Sequence, residues 1–254
     1  LKVSDELGNR DYESIQYTLL MWICMELGQR EEALDAYDKA LVRLNEVNNI
    51  ELRSDLMTMR TTLARYEGDW VLVEEIPHQV LEMLGDEAYC RSKTDALVEL
   101  VYAALHGPHR DIARAERLAQ QAMIEGRNSE YRESIAMSLM AFAEVLGAQG
   151  DYARAVETAY EAIAMCKRQG SAHQQVKGHI ALVRIALAAD DLVLARQELE
   201  KAKSMTFQQQ SWALYNIAIR LGVELESRRD HSPESPETVD FNEDWLAPVL
   251  TGQM

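Results

Sequence analysis

Apolar residues recur along this chain with the spacing of an α-helix, and the helical pattern itself returns about every 40 residues. Five segments carry a repeating frame at positions i, i+3, i+4 and i+7, which share one face of a helix. One of the clearest runs through Leu139, Phe142, Ala143 and Leu146. The second segment is the least regular, because two of its four positions are polar. The pattern predicts five related amphipathic α-helices.

Each of these helices is followed by a turn and by a second helical frame that is rich in small residues. The best copies are Gly28 with Ala33, Tyr37 and Ala40, and Gly150 with Ala155, Ala159 and Ala162. Successive frames lie 40, 42, 40 and 40 residues apart. Small side chains let two antiparallel helices approach closely, and each pair leaves an apolar face that a neighbouring pair must cover. The chain is therefore predicted to be a stack of helix pairs.

The run Ala33, Tyr37, Ala40 and its later copies resemble the tetratricopeptide repeat (TPR) over about residues 12–228. The repeat of 40 residues is longer than the usual 34 of that family, and the proline that ends a typical unit is missing. Such lengthened repeats look like those of bacterial regulators of the maltose-regulator type. The resemblance implies an all-α, right-handed α-solenoid. It also implies a larger bacterial protein that joins an ATP-using switch domain, this sensor and a DNA-binding end.

The repeat frame divides the chain into five helix pairs and one final helix. The pairs are expected at about 11–47, 50–84, 87–124, 129–167 and 172–205. A helix at 211–228 lacks a partner with the alanine frame and is expected to cap the last pair. Residues 1–229 are thus predicted to form one TPR-like domain, and residues 230–254 an acidic linker and tail. Pro77 falls inside a predicted helix, as a kink or a tolerated irregularity.

The composition excludes several classes of partner. A net charge of −16 and a pI near 4.8 argue against direct binding to nucleic acid or to an anionic membrane surface. No run of 18 apolar residues is present, so no membrane span is expected. The three cysteines, Cys24, Cys90 and Cys166, are far apart and odd in number, which favours reduced thiols and a cytoplasmic location. The oligomeric state stays open.

The sequence carries no recognisable catalytic chemistry. Glycine-rich phosphate loops, a nucleophile elbow and a zinc-protease helix are all missing from it, so a non-catalytic protein without cofactor or metal is predicted. His106 and His109 lie close together, but a solvated loop is the preferred interpretation of that pair. His179 stands at a core position and is expected to be buried and hydrogen-bonded.

The TPR resemblance implies that a ligand contacts the concave face, which the first helix of each pair lines. The large or cationic residues at those positions are Trp22, Met25, Arg65, Tyr102, Met137, Met140, Lys177 and Arg184. Aromatic residues, methionine and arginine are common in recognition surfaces. For Met137 and Met140, packing between adjacent helices is the alternative interpretation.

Two functions fit this pattern. The first is a protein- or peptide-binding, or signal-sensing, module of a larger regulator. The alternative is a small-molecule effector-sensing domain of a transcriptional regulator. A long open groove would favour a peptide, whereas a closed pocket with a few convergent polar groups would favour a small molecule.

The tail contains an apolar stripe within an acidic segment. Phe241 and Trp245 are spaced like one face of a short helix, Leu246 lies beside them, and residues 230–254 hold six acidic residues and no lysine or arginine. The linker 230–239 spans roughly 30 Å when extended, far enough to return to the last repeats. Docking of the tail through Trp245, on this chain or on a neighbour, is therefore a prediction, with a disordered end as the alternative.

Overall fold

The computed structural model describes residues 10–47, 49–85, 91–129 and 131–229, and every regular element within these ranges is an α-helix. These elements are α1 (Arg10–Glu26), α2 (Arg30–Glu46), α3 (Ile50–Glu67), α4 (Trp70–Leu84), α5 (Arg91–His106), α6 (Ile112–Asn128), α7 (Arg132–Ala148), α8 (Tyr152–Arg168), α9 (Ala172–Ala188), α10 (Leu192–Gln209) and α11 (Trp212–Arg229).

Consecutive helices pack in pairs, and the five pairs and single final helix confirm the predicted units. The fold is an all-helical, right-handed α-solenoid of antiparallel, TPR-like helix pairs. Helices α6 and α10 each run four residues past the predicted ends at 124 and 205. Helix α5 begins at Arg91, and its predicted start at 87 lies outside the described residues. Helix α4 continues through Pro77, which is buried.

Aspartate side chains start four of the five second helices, and their positions follow the repeat frame. The carboxylates of Asp69, Asp111, Asp151 and Asp191 each accept a hydrogen bond from the backbone N–H three residues on, at 2.9–3.5 Å. Each such cap stabilises its helix by about 1 kcal/mol. The left-handed turn residue before the cap is Gly68 at φ +79° in one pair and Asp190 at φ +57° in the last.

Alanines form the interior of the helix pairs. Five of the six frame positions in the first and fourth pairs have no exposed surface: Ala33, Ala40, Ala155, Ala159 and Ala162. At the sixth, Tyr37 is only half-buried, and its neighbour Ala36 is fully buried instead. Alanine side chains let the two helices of a pair come together without voids. A larger residue would overpack the interface and typically cost about 1–3 kcal/mol.

Helix α11 does more than cover the last pair. Gly222 packs against Leu199 of α10, which is the predicted capping contact. At the other end, Ser211 donates a hydrogen bond to the carboxylate of Glu26 at the end of α1. Arg220 donates a hydrogen bond of 3.1 Å to the carbonyl of Tyr66 at the end of α3. The solenoid thus completes one turn, and its last helix reaches back to its first two pairs.

The thiols and the core histidine occupy buried positions. Cys24 and Cys166 are free and buried, and burial raises the pKa of both, that of Cys166 to about 11. Cys90 lies outside the described residues. His179 is buried with Nδ1 at 2.6 Å from the Glu198 carboxylate, which confirms the expected hydrogen-bonded core histidine.

Candidate functional site

The first helices of the later pairs and α11 converge on the inner face of the turn around one small cavity. Five of the eight residues predicted to contact a ligand line it: Arg65, Tyr102, Met137, Lys177 and Arg184. The rest of its wall is Tyr66, Ile180, Leu214 and Ile217. We call these nine residues the central cluster. The cavity measures about 20 Å³, which is space for about one water molecule and not for a peptide.

The other predicted contact residues lie elsewhere. Met25 and Met140 are 4% and 1% exposed and belong to apolar cores, so for Met140 the packing alternative holds. Trp22 is 40% exposed on α1, with its ring edge toward His173 at 6.2 Å between centroids. The predicted tail contacts, Phe241, Trp245 and Leu246, lie outside the described residues.

A buried ion pair anchors one side of the central cluster. Arg65 donates to both carboxylate oxygens of Glu99, at 2.6 and 3.3 Å, and Thr62 donates to the same group at 3.0 Å. The Arg65 guanidinium also lies 4.6 Å from the centre of the Tyr102 ring, within the range of a cation–π contact. Both charges are thereby compensated, so Arg65 is held by its neighbours and is not presented to a ligand.

A second buried carboxylate joins the cluster to the ends of the helices. Glu144 accepts a hydrogen bond of 3.0 Å from Arg184, and Nε2 of His106 lies 2.8 Å from its other oxygen. Burial alone would raise the pKa of Glu144, but Arg184 and His106 lower it to about 2. His106 was expected in a solvated loop: it is exposed, but it ends α5 instead of lying in the loop, and its ring bridges to α7.

One buried polar group of the central cluster, the hydroxyl of Tyr66, has no hydrogen-bond partner among the described residues, and its side chain is 9% exposed. The pKa of Lys177 is lowered mainly by burial and further by Arg65. Three acidic residues oppose that shift: Glu26, Glu99 and Asp95. The nearby Asp95 has a pKa raised to about 7 by burial, although Arg91 and Lys177 oppose that shift. Several charged groups thus lie close together in the buried centre, and hydrogen bonds and ion pairs compensate their burial only in part.

A larger cavity of about 340 Å³ opens where α5, α7 and α9 end, against the second half of α11. We call it the C-terminal cleft. Its apolar and small lining residues are Leu105, Gly147, Ala148, Ile185, Leu187, Ala188 and Leu221, and its polar ones are His106, Arg110, Glu144, Arg184, Glu224 and Arg228. Arg184 lines both cavities, so the cleft continues outward from the central cluster.

The charges of the C-terminal cleft are compensated except at its rim. Arg184 pairs with Glu144, and Arg228 pairs with Glu224 at 2.7 Å. Arg228 also donates to the carbonyl of Leu187 in the last turn of α9. Arg110 is exposed in the loop before α6 and has no hydrogen-bond or ion-pair partner among the described residues. It is the cation that the cleft leaves available.

Comparison with known proteins supports the fold. No protein-family model and no curated protein matches the chain. A solved structure, of a Rap protein complexed with Competence and Sporulation Factor, superposes with a TM-score of 0.64. That superposition has 16% sequence identity and covers 89% of this chain and 68% of that one. The likeness shows the fold, an all-helical solenoid of TPR-like helix pairs.

The described part of this TPR-like domain shows neither a metal site nor a membrane span. No group of three or more His, Cys, Asp or Glu side chains within it is arranged to hold a metal ion. None of its helices is both long and apolar enough to cross a bilayer.

Of the eight residues predicted to contact a ligand, only Arg184 lines the C-terminal cleft. One signal for it was present: the step of 42 residues, the longest in the repeat, falls in the loop that leads to Arg110. Leu221, Glu224 and Arg228 carried no such signal, since they belong to the site only because α11 folds back across the inner face.

Proposed function

We propose that this TPR-like domain is a non-catalytic sensing module of a larger regulatory protein, and that it binds a short peptide or protein segment in the C-terminal cleft. One observation carries the proposal. The cleft combines an apolar wall with Arg110, a cation that pairs with no described residue. A cavity of this kind, with a few convergent polar groups, is the usual form of a ligand site.

The chemistry of the walls defines the ligand. Leu105, Leu187 and Leu221 give the cleft an apolar lining of which little is exposed, 5%, 2% and 9% of each residue. Arg110 offers a partner to a carboxylate at the rim. The C-terminal ends of α5, α7 and α9 carry partial negative charge, so they disfavour a bare anion and favour N–H donors. A peptide supplies all three features, because its backbone donates while its side chains are apolar and acidic.

The comparison and the sequence resemblance support a regulatory role. The Rap protein that shares this fold was solved as a complex with Competence and Sporulation Factor, so a solenoid of this kind accommodates a bound factor there. The maltose-regulator resemblance adds a bacterial, cytoplasmic regulator of transcription as the wider setting. Within that setting this domain is a sensor and, given its net charge of −16, not the DNA-binding part.

A second candidate ligand is a small effector molecule. The cleft volume of about 340 Å³ favours it, because that value lies near the lower end of ordinary small-molecule pockets. The small central cavity also excludes a long peptide that follows the solenoid axis. A small effector would still need an apolar body, a donor for the helix ends and an anionic group for Arg110.

Selection from a random heptapeptide library on the immobilised full chain tests the proposal. We expect selected peptides to combine an aromatic or leucine residue with an adjacent acid. Arg110→Glu should weaken their binding at least tenfold, as the loss of a charged contact worth about 1.4 kcal/mol would. Ala188→Phe, which fills the cleft without a change of charge, should weaken it as well.

Arg117→Glu is the matched control. Arg117 is exposed on α6, does not line the cleft, and undergoes the same change of charge. Binding that responds equally to both arginine variants would reduce the effect to net charge and contradict the proposed site. Ligand-observed NMR with aryl carboxylates tests the small-molecule candidate. Saturable binding of those compounds, lost in Ala188→Phe, together with a failed peptide selection, would favour the effector function.

A further inference from the structure

We propose that the acidic tail of this chain, through residues 241–250, occupies the C-terminal cleft as a tethered ligand that an external ligand must displace. The inference rests on the proposed function, since it names an occupant for the same cleft. It commits the tail to one place, where the sequence alone pointed only to the last repeats.

The tail begins beside the cleft. Helix α11 ends at Arg229, and Arg228, one residue earlier, lines the cleft. The ten linker residues 230–239 reach roughly 30 Å when extended, which exceeds the width of the three helix ends at about 10 Å between neighbours. A tether of this length holds its segment at an effective concentration in the millimolar range. Even a weak intrinsic affinity would therefore keep the cleft largely occupied.

The charges of the two parts are complementary. Residues 230–254 carry six acidic and no basic side chains, so they contribute −6 of the chain's net −16. The cleft holds three arginines, Arg110, Arg184 and Arg228, against two glutamates. Among the lining side chains the arginines outnumber the glutamates by one, and Arg110 is the arginine that pairs with no described residue. The positive potential is therefore confined to the rim, where it favours the encounter with an acidic residue of the tail.

The side chains of the tail match the walls of the cleft one by one. Trp245 supplies an apolar ring for the wall that Leu105, Leu187 and Leu221 form, and an indole N–H for the carbonyl ends of the helices. Asp244, the preceding residue, supplies the carboxylate for Arg110. The tail therefore has the apolar body, the N–H donor and the acid that the proposed ligand requires.

Fluorine NMR of the full chain labelled with 5-fluorotryptophan tests the inference directly. The chain has four tryptophans, and Trp245→Phe identifies the resonance of Trp245. We expect that resonance to differ from its position in a synthetic peptide of residues 238–254 and to show a reduced solvent isotope shift. Arg110→Glu should return it toward the free-peptide position, whereas Arg117→Glu should leave it unchanged. Combining Arg110→Glu with Asp244→Lys should restore the docked position.

Competition provides the functional measurement. In the full chain, Trp245→Ala should raise the affinity for a library-selected peptide, because the cleft no longer has to be cleared. The gain is about tenfold for a tail whose own Kd is near 100 µM. Asn242→Ala, a change in the same tail outside the apolar stripe, should leave the affinity near that of the unaltered chain.

The outcomes separate this inference from the proposed function. A Trp245 resonance at the free-peptide position in the unaltered chain overturns tail docking, even if external peptides still bind in an Arg110-dependent way. If external peptides also fail to bind, the proposed function is overturned as well. A docked signal that weakens on dilution would place the tail in a second copy of the chain and overturn the intramolecular contact.

Discussion

The central cluster and the C-terminal cleft are both lined by residues from α5, α7, α9 and α11 and share Arg184, and α3 adds Arg65 and Tyr66 to the centre only. The centre is nearly filled, whereas the cleft is open. In the centre, tyrosine, methionine, isoleucine and leucine side chains meet from all sides. Toward the helix ends the residues become small, as at Gly147, Ala148 and Ala188. These small residues leave the inner face open at the cleft, whereas the large side chains fill it at the centre.

The charges of the two regions differ as their packing does: the centre buries an ion pair, whereas the rim of the cleft exposes a cation that has no partner among the described residues. The centre holds Arg65 and Glu99 in a buried pair, so its polar groups serve the folded state. The cleft leaves Arg110 exposed at its rim, where the proposed function assigns it to recognition. The comparison implies that substitutions in the centre change stability and substitutions at the rim change binding.

The largest effect is expected from the central ion pair. Glu99→Ala leaves the guanidinium of Arg65 buried without its carboxylate and removes the acceptor of Thr62. Loss of one partner of a buried pair typically lowers the free energy of unfolding by about 3–5 kcal/mol. Urea denaturation followed by circular dichroism measures it.

The control for this prediction removes both charges together. Replacing Arg65 by methionine and Glu99 by leucine leaves no charge unpaired, so the double variant should be markedly more stable than Glu99→Ala alone. A double variant that is less stable than the single one would show that the pair itself, and not the orphaned arginine, carries the stability.

The next effect concerns the apolar contacts through which α11 closes the centre. Leu214 is 2% exposed and lines the central cavity, so Leu214→Ala should enlarge it and lower the free energy of unfolding by about 2–4 kcal/mol. Val223→Ala, on the same helix and 67% exposed, is the matched control and should change it by less than about 0.5 kcal/mol. Equal effects of the two would mean that α11 is not held through its inner face.

The pH dependence of stability tests the incomplete compensation of the central charges. The pKa of Asp95 is raised to about 7 by burial, with Asp55 and Glu99 adding to the shift and Arg91 and Lys177 opposing it. Between about pH 4 and 7 the folded chain keeps a proton there that the unfolded chain has lost, so this group lowers stability as the pH rises.

Asp95→Asn should therefore raise the free energy of unfolding at pH 8 by about 1–2 kcal/mol and change it little at pH 4. Glu75→Gln, an exposed neutralisation of the same size on α4, should be nearly silent at both values. Thermal unfolding at a series of pH values provides the measurement. A gain for Asp95→Asn that is equal at pH 4 and pH 8 would contradict the titration.

The repeat frame predicted the helices, but only part of the candidate site. The 40-residue spacing predicted the five pairs, because small residues such as Ala159 recur wherever the two helices of a pair approach closely. It also placed Arg65 and Arg184 on one inner face. For Met140 the sequence left both interpretations open, because a rotation by one helical position separates the inner face from the contact between neighbouring helices, where this residue packs.

The sequence pattern could not predict that the solenoid completes one turn and brings α11 against the first pairs. Arg228 and Arg110 line the same cleft only because a small rotation between successive pairs accumulates over the whole solenoid. No single residue encodes that rotation, so the contact between α11 and the first pairs appears only in three dimensions.

The smallest effect on stability is expected at the rim of the cleft, and it sharpens the comparison most. Arg110 is exposed and has no hydrogen-bond or ion-pair partner among the described residues, so Arg110→Glu should change the free energy of unfolding by less than about 0.5 kcal/mol. The same variant should weaken binding of an acidic peptide at least tenfold. Calorimetric unfolding and peptide titration on one preparation give both values. Arg184→Met, in contrast, leaves the buried Glu144 carboxylate with His106 as its remaining partner, so this variant should lose both stability and peptide binding. If Arg110→Glu unfolds the domain as readily as Arg184→Met does, the rim belongs to the core and the distinction between the two regions fails.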